Sequence, residues 1–450
     1  MRNFYNFMEE KITPVAAKLS NQRHLSSVRD GLIMAMPLLI IGSFFLILAY
    51  LPISGYPELM ENIFGGNWQT KLTYPVSVTY DIMALLVSFG IAYRLAEKYG
   101  TIDALMTGIF SMVCFALTIP QHVMFTPEGA QKALEVGGVL PTAQLGSQGL
   151  FVAIVISLLS TEIYRFFYEK DFVIKMPDSV PPAVWKSFSA LIPGSITILV
   201  IWGLRLLIEI TPFESMNNIV SIIIGIPMQY VGGTLLGMIV IVSLIGVLWS
   251  IGLHGDAILS AFTTPIWLKS MDENRIALEA GKELPNIITH DFYYLFIVPG
   301  GTGATLAIVI LMLWRSKSKQ MKELGKVAAP ASAFNISEPV IFGVPIVLNP
   351  YLFIPFLLTP IILVIVTYYA MDLGLVAKTA GIALPWTTPP IISGYLSTGG
   401  KISGSVMQIV NILIALIMYY PFFRIWDKQK YKEESSSMNE KTKQDVEMTL

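Results

Sequence analysis

Two short stretches hold residue types that can work on a polar ligand. Asn335–Pro339 reads NISEP, with Glu338 beside a proline in a run that stays apolar on both sides, Ala328–Phe334 before and Val340–Leu348 after. Trp249–Asp256 reads WSIGLHGD, with His254 and Asp256 following Gly252 at the end of an apolar segment. A carboxylate, amides and hydroxyls on non-helical backbone make a good surface for a neutral polyol, because a sugar hydroxyl donates to an ionised carboxylate more strongly than to a neutral acceptor. Proline moves the residue before it out of the helical region, so Glu338 is expected at a break, flanked by Asn335 and Ser337. Trp249 and Trp386 lie next to the two broken regions and are candidate platforms for the apolar face of a sugar ring. His254 is suited to accept a proton near neutral pH or to orient a hydroxyl. The plainer readings are a loop carboxylate and an interfacial histidine with a local partner. The apolar flanks of NISEP weigh against the first, while the second prevails for His254 taken alone.

The remaining ionisable groups at membrane depth have structural readings. Asp81 is expected to make a helix-packing hydrogen bond. Arg205 and Glu209 share one helix face as an ion pair. Glu162 sits at an interface beside Arg165. No stretch pairs ligand residues at metal spacing and no GxxxxGK phosphate loop occurs, so neither a metal nor another cofactor is expected. The single cysteine, Cys114, excludes an internal disulfide framework.

These residues must be held by membrane helices. Of 450 residues, 54% are hydrophobic and 14% charged, and the mean hydropathy is +0.63. Soluble domains carry about 25% charged residues, so the chain reads as an integral membrane protein. A net charge of -1 gives no support to nucleic-acid binding. A spanning helix needs ~20 mostly apolar residues. Candidates are 31–53, 76–96, 103–120, 149–168, 187–210, 233–252, 292–313, 351–371 and 404–425, with the shorter 256–270 as a further crossing or a re-entrant piece. Basic clusters precede the first candidate, follow the second, separate the fourth from the fifth, span Arg315–Lys326 and close the last. They all fall on the cytoplasmic side if 256–270 crosses, which gives about ten crossings with both termini inside.

The predicted organisation is an amphipathic cytoplasmic N-terminus over 1–30, helices over 31–212, an amphipathic connector over 213–232, a second helical part over 233–427 and a disordered cytoplasmic tail over 428–450. Residues 1–30 lack the apolar core of a cleaved signal. Residues 374–400 are apolar but broken by Pro385, Pro389, Pro390 and Gly394, which suits a re-entrant hairpin; 331–349 is the second such region.

NISEPVIFGVPIVLNP, with GLHGD upstream and PWTTPP downstream, resembles the membrane IIC component of bacterial phosphotransferase-system sugar permeases, in the lactose, cellobiose and N,N'-diacetylchitobiose branch. The likeness runs from KITPVAAKLSNQRHL, beginning at Lys11, to the end of the last span. It implies an all-α polytopic membrane protein of about ten transmembrane helices plus two re-entrant hairpins, working as an elevator-type transporter. The 31–212 part would be the homodimerisation domain and the 233–427 part the substrate-binding transport domain, in a bacterial cell membrane. Glu338 and His254 would bind the sugar near the hydroxyl that receives phosphate, with Asn335, Ser337, Trp249, Trp386, His290 and Asp291 as further substrate-binding residues. The partners implied are a β-linked disaccharide and a phosphorylated IIB protein, by family analogy a phosphocysteine carrier, charged indirectly through IIA. The permease would then be one component of a transferase complex. The competing reading is a proton-coupled secondary sugar transporter, with Glu338 or Asp81 as its proton site. A membrane sugar sensor is a second alternative.

Overall fold

The computed structural model describes Pro14, Lys18, Ile53, Ile346, Asn349 and residues 22–51, 55–127, 132–177, 179–344 and 351–449, with side chains as far as Ser436 except that of Ala183. The expected surface helix at the N-terminus lies largely outside these residues. From Arg23 onward the chain is already in the first long helix. Two compact units form: Lys18–Gly232 with Ser260–Glu273, and Gly233–Leu259 with Asn274–Leu450.

The first unit holds α1 (Arg23–Ala49), α2 (Tyr56–Phe64), α3 (Trp68–Tyr80), α4 (Met83–Tyr99), α5 (Ala104–Thr118), α6 (Leu150–Glu169), α7 (Pro182–Ser189), α8 (Leu191–Glu209) and a helical run α9 (Met216–Gly232) containing a π-turn. Side chains satisfy orphan backbone donors at the helix starts. Gln22 accepts from Leu25 N at 2.6 Å, and Asp103 accepts from Met106 N at 3.0 Å. α1 and α4 approach backbone to backbone, since a Cβ on Gly90 would lie 2.9 Å from the Gly31 carbonyl oxygen. Such contact through small residues is the usual way membrane helices pack without a hydrophobic driving force. Ser88 and Ser111 add a hydrogen bond of 2.9 Å.

The expected Arg205–Glu209 pair forms at 2.7 Å, and Arg205 also donates to the Leu117 carbonyl at 2.7 Å. Glu162 accepts from Arg165, His24 and Tyr99. Asp81 closes α3 at the break before α4. The connector α9 buries Met216, Val220, Gly225 and Gly232 and leaves the large apolar side chains of Ile222, Ile223 and Ile226 exposed, with Tyr230. One element lies outside an all-helical reading: β1 (His122–Phe125) pairs antiparallel with β2 (Leu134–Gly137), with His122 opposite Gly137.

The second unit holds α10 (Leu235–Ser250), α11 (Gly255–Glu279, whose middle belongs to the first unit), α12 (Leu306–Arg315), α13 (Lys319–Ala333), α14 (Glu338–Gly343), α15 (Phe353–Asp372), α16 (Ile392–Ser397) and α17 (Ile402–Thr449). Its helices are interrupted by a π-turn at Phe292–Ile297, a glycine-rich loop at 299–305 and a long irregular stretch at 373–391.

The tail after Lys428, expected to be disordered, is instead helical to Thr449. Its first part has a reason to be ordered. Buried Asp427 accepts from Ser316 Oγ at 2.5 Å and Lys317 N at 2.9 Å, while Glu434 accepts from Ser318 Oγ at 2.6 Å and Gln320 N at 2.8 Å. Two acids on α17 thus satisfy the free donors at the start of α13, which no intrahelical bond reaches.

Among the described residues, six helices are long and apolar enough to cross a bilayer, or seven if the broken pair 216–232 and 235–250 counts as one. Ala104–Thr118 and Leu306–Arg315 are apolar but shorter. α11 is long enough, but it carries Asp256, Lys269, Asp272, Glu273 and Arg275.

Candidate functional site

The site is built in the second unit from two chain breaks. α13 stops at Phe334, and Asn335 takes a left-handed conformation with φ of 61°. Asparagine tolerates that conformation better than most side chains. The break covers Phe334–Ser337, and Glu338 opens the short helix α14. Pro339 lies in its first turn, where a missing N–H breaks no helical hydrogen bond. α10 ends at Ser250, the chain turns at Gly252 with φ of 82°, and His254 caps α11 by accepting from Ala257 N at Nδ1, 3.2 Å away.

This brings His254 Nε2 to 4.0 Å from Glu338 Oε1, with both side chains about half open to solvent, 51% and 46%. The two atoms are too far apart to bond each other well, yet one oxygen can stand about 2.8 Å from both. The cap fixes the histidine tautomer. Nδ1 accepts a backbone N–H, so in the neutral ring the proton is on Nε2, which faces Glu338 as a donor. A hydroxyl between them would accept from His254 and donate to the Glu338 carboxylate.

The other expected ligands fall into two groups. Trp386 is 46% exposed and keeps a face available for a sugar ring. Asn335, Ser337, Trp249, His290 and Asp291 are all buried in this conformation. The Asn335 amide is fully engaged within the protein. Its oxygen accepts from Gly300 N at 2.8 Å, and its nitrogen donates to the Trp386 and Thr388 carbonyls at 2.8 and 3.0 Å. Ser337 packs against Gly301, where an added Cβ would come within 2.6 Å of it. Both residues frame the site.

Trp249 is 2% exposed, so its ring is covered in this conformation. Its ring lies against His254 with centroids 4.4 Å apart, and its indole N–H donates to Asp256 Oδ2 at 2.8 Å. His290 packs against Tyr294 at 4.5 Å, with its Nδ1 3.5 Å from Asp291 Oδ1. Neither carboxyl oxygen of Asp291 has a hydrogen-bond partner among the described residues.

Asp256, noted in the sequence beside His254, takes its role from its partners, and two further residues, Gln408 and Asn411, escape a reading based on ligand types. Asp256 accepts from Trp249, from Tyr293 OH at 2.5 Å and from Thr302 Oγ1 at 2.7 Å. Gln408 accepts from Ile391 N and Gly394 N and donates to the Leu295 carbonyl and Ser393 Oγ. Asn411 donates to the Phe296 carbonyl and Thr367 Oγ1, both at 2.9 Å. The last two hold the π-turn, and Gln408 also holds the start of α16. The only available signal was an amide inside an apolar span.

The comparisons with known proteins agree with one another. The family model "Phosphotransferase system, EIIC" matches residues 29–360. The lichenan permease IIC component of Bacillus subtilis (strain 168) is 54% identical over 435 residues, covering 97% of this chain and 96% of that one. The cellobiose-specific EIIC component of Geobacillus stearothermophilus is 55% identical over 438 residues, covering 97% of each. The crystal structure of ChbC, the IIC component of an N,N'-diacetylchitobiose-specific phosphotransferase system, superposes with a TM-score of 0.92 at 51% identity, covering 95% of this chain and 99% of that one.

Proposed function

This chain belongs to the EIIC family of the phosphotransferase system, and on that premise we propose that it imports a β-linked disaccharide and presents it to phosphorylated IIB. Cellobiose and N,N'-diacetylchitobiose are the two candidates, because similar chains carry those names. The family and the apolar helices make it a multi-pass membrane permease. The observation that carries the proposal is the 4.0 Å gap between His254 Nε2 and Glu338 Oε1.

The acceptor hydroxyl of the sugar occupies that gap, and Trp386 covers an apolar ring face. His254 orients the oxygen through its Nε2 proton. Glu338 accepts the hydroxyl proton as the oxygen attacks phosphorus and the bond from phosphorus to the IIB sulfur breaks. The permease contributes position: holding acceptor and donor together removes much of the entropic barrier. Glu338 then gives its proton to solvent, and the product, with about -1.5 to -2 charges near neutral pH, is repelled by the restored carboxylate, which favours release and opposes backflow.

The rest of the proposal follows the family resemblance. About ten crossings place both termini in the cytoplasm, with α5, α11 and α12 among the crossings. The first unit supplies the homodimer contact, and the second carries the sugar in an elevator-like motion. IIA recharges IIB.

The test is uptake into membrane vesicles given IIA, IIB and phosphoenolpyruvate with the membrane potential and pH gradient collapsed. Accumulated cellobiose phosphate or diacetylchitobiose phosphate is the expected result, and competition between the two sugars decides the preference. Uptake of free sugar driven by a proton gradient, with no sugar phosphate formed, would reject group translocation in favour of a secondary transporter.

A further inference from the structure

Asp256 lies two residues from His254 and collects donors from three separate segments. Trp249 comes from the end of α10, Tyr293 from the π-turn and Thr302 from the glycine-rich loop, at 2.8, 2.5 and 2.7 Å. Hydrogen bonds to an ionised carboxylate are short and roughly twice as strong as neutral ones. Three on one side chain leave its position little freedom.

The segments so gathered are the ones that hold the two halves of the site. Trp249 is the ring against which His254 packs at 4.4 Å, and it also lies 6.3 Å from the ring of Phe342 in α14. Thr302 belongs to the loop whose Gly300 N–H is bonded by Asn335, three residues before Glu338. The same loop packs Gly301 against Ser337. One path therefore runs from His254 through Trp249 to Asp256, and a second from Asp256 through Thr302 and Gly300 to Asn335 and the start of α14.

We propose that Asp256 is a positioning residue that sets the spacing of His254 and Glu338. It touches neither the sugar nor the phosphate. It acts by fixing the indole behind the imidazole and by tying the 300–302 loop, on which the Glu338 break is seated, to the same point. The kinetic consequence rests on the sugar-permease reading above, but the structural consequence does not.

Asp256→Asn keeps the size and removes the charge. The full-length protein has four histidines, His24, His122, His254 and His290, so the 15N-labelled imidazoles can be resolved. The variant moves the ring signals of His254 and leaves those of His24 and His122 in place. Thr302→Val, which removes one donor and leaves the acid, moves the His254 signals in the same direction by less, and it carries the test if Asp256→Asn does not fold.

With phosphorylated IIB and saturating disaccharide, Asp256→Asn lowers the phosphoryl-transfer rate about tenfold or more, while sugar affinity changes less than about threefold. In a His254→Gln background the same change adds less than about twofold, because both variants disturb one interaction.

Unchanged His254 signals in Asp256→Asn and Thr302→Val would overturn the proposal, whatever the substrate proves to be. So would losses that multiply in the double variant, or a loss confined to sugar affinity. Failure of the wild type to phosphorylate any β-linked disaccharide would reject the functional reading instead, and the imidazole signals would still decide the role of Asp256.

Discussion

The two units solve the membrane problem differently. In Lys18–Gly232 the core helices α1, α4 and α6 run without irregular interruption, and polar side chains pair near helix ends, as Glu162 does with Arg165 and His24. Its helices α1 and α4 meet closely where Gly31 lies against the Gly90 turn. In Gly233–Leu259 with Asn274–Leu450 the helices are repeatedly broken. Left-handed residues occur at Gly252, Gly300, Gly301, Gly303, Ala304, Asn335, Gly381 and Ile391, and buried amides answer the broken backbone. Non-helical backbone at membrane depth survives only where protein or a cavity satisfies it. Where a chain accepts that demand, the exposed carbonyls, amides and carboxylate can serve a ligand. Ile391 marks the extreme: a β-branched residue at φ of 76° is strained, and Gln408 accepts from its N–H.

The contrast is sharpest in function. Glu338→Ala removes the acceptor of the proposed site, and sugar affinity measured by calorimetry falls about 100-fold or more, roughly 2.7 kcal/mol. Glu162→Ala, an acid of similar exposure in the first unit, leaves affinity within about twofold. Equal losses in the two variants would erase the distinction between a binding acid and a structural one.

Next in size comes stability. Gln408→Leu fits an apolar span yet leaves Ile391 N, Gly394 N and the Leu295 carbonyl without their partner. Each buried unsatisfied group costs about 1–3 kcal/mol, so thermal unfolding in detergent should show a loss of roughly 3 kcal/mol or more. Ser88→Ala in the first unit removes one interhelical bond, worth about 0.6 kcal/mol in comparable membrane proteins. Comparable destabilisation by the two variants would mean that the broken backbone is not held by its amide.

Much of this was legible in the sequence because breaks are written in residue types that helices avoid. Pro339 and the prolines at 385, 389 and 390 located both interruptions, and the apolar flanks of NISEP marked Glu338 as unusual. The Arg205–Glu209 pair followed from helical spacing alone. Side-chain direction was not legible. Trp249 and Trp386 are the same residue type beside similar breaks, but one ring is buried behind His254, bonded to Asp256 seven residues on and near the distant Phe342, and the other is open. Asn335 was placed correctly at the break, but its bonds to the rest of the protein were not legible, because its three partners are more than thirty residues away. The tail was misread for the same reason. Its polar composition gives no hint that Glu434 finds Ser318 and Gln320.

The first unit has its own sensitive point. Gly31→Val places a branched side chain where a Cβ would already lie 2.5 Å from the Ile91 backbone nitrogen. Overpacking of that kind costs about 1–3 kcal/mol. The melting temperature should fall, while the affinity of the folded fraction for sugar stays at the wild-type value. A change in affinity would mean that close packing in the first unit bears on the site after all.

The smallest effect tests a surface charge. Burial alone would raise the Asp103 carboxyl, but hydrogen bonds from Lys186 and from Met106 N outweigh it and hold the group below its ordinary value of 3.8. A carboxylate depressed by folding adds stability at any pH above its unfolded value, and that stability disappears as pH falls through the lower folded value. Asp103→Asn keeps an oxygen to cap α5 but loses the charge facing Lys186. The wild type should therefore melt slightly higher than the variant across the neutral range, by less than in any comparison above. The two curves should converge below about pH 4. The pair is exposed on the Lys186 side, 53% open, so salt should shrink the difference as well. Curves that stay parallel down to acid pH would assign the stabilisation to the cap geometry and not to the ion pair.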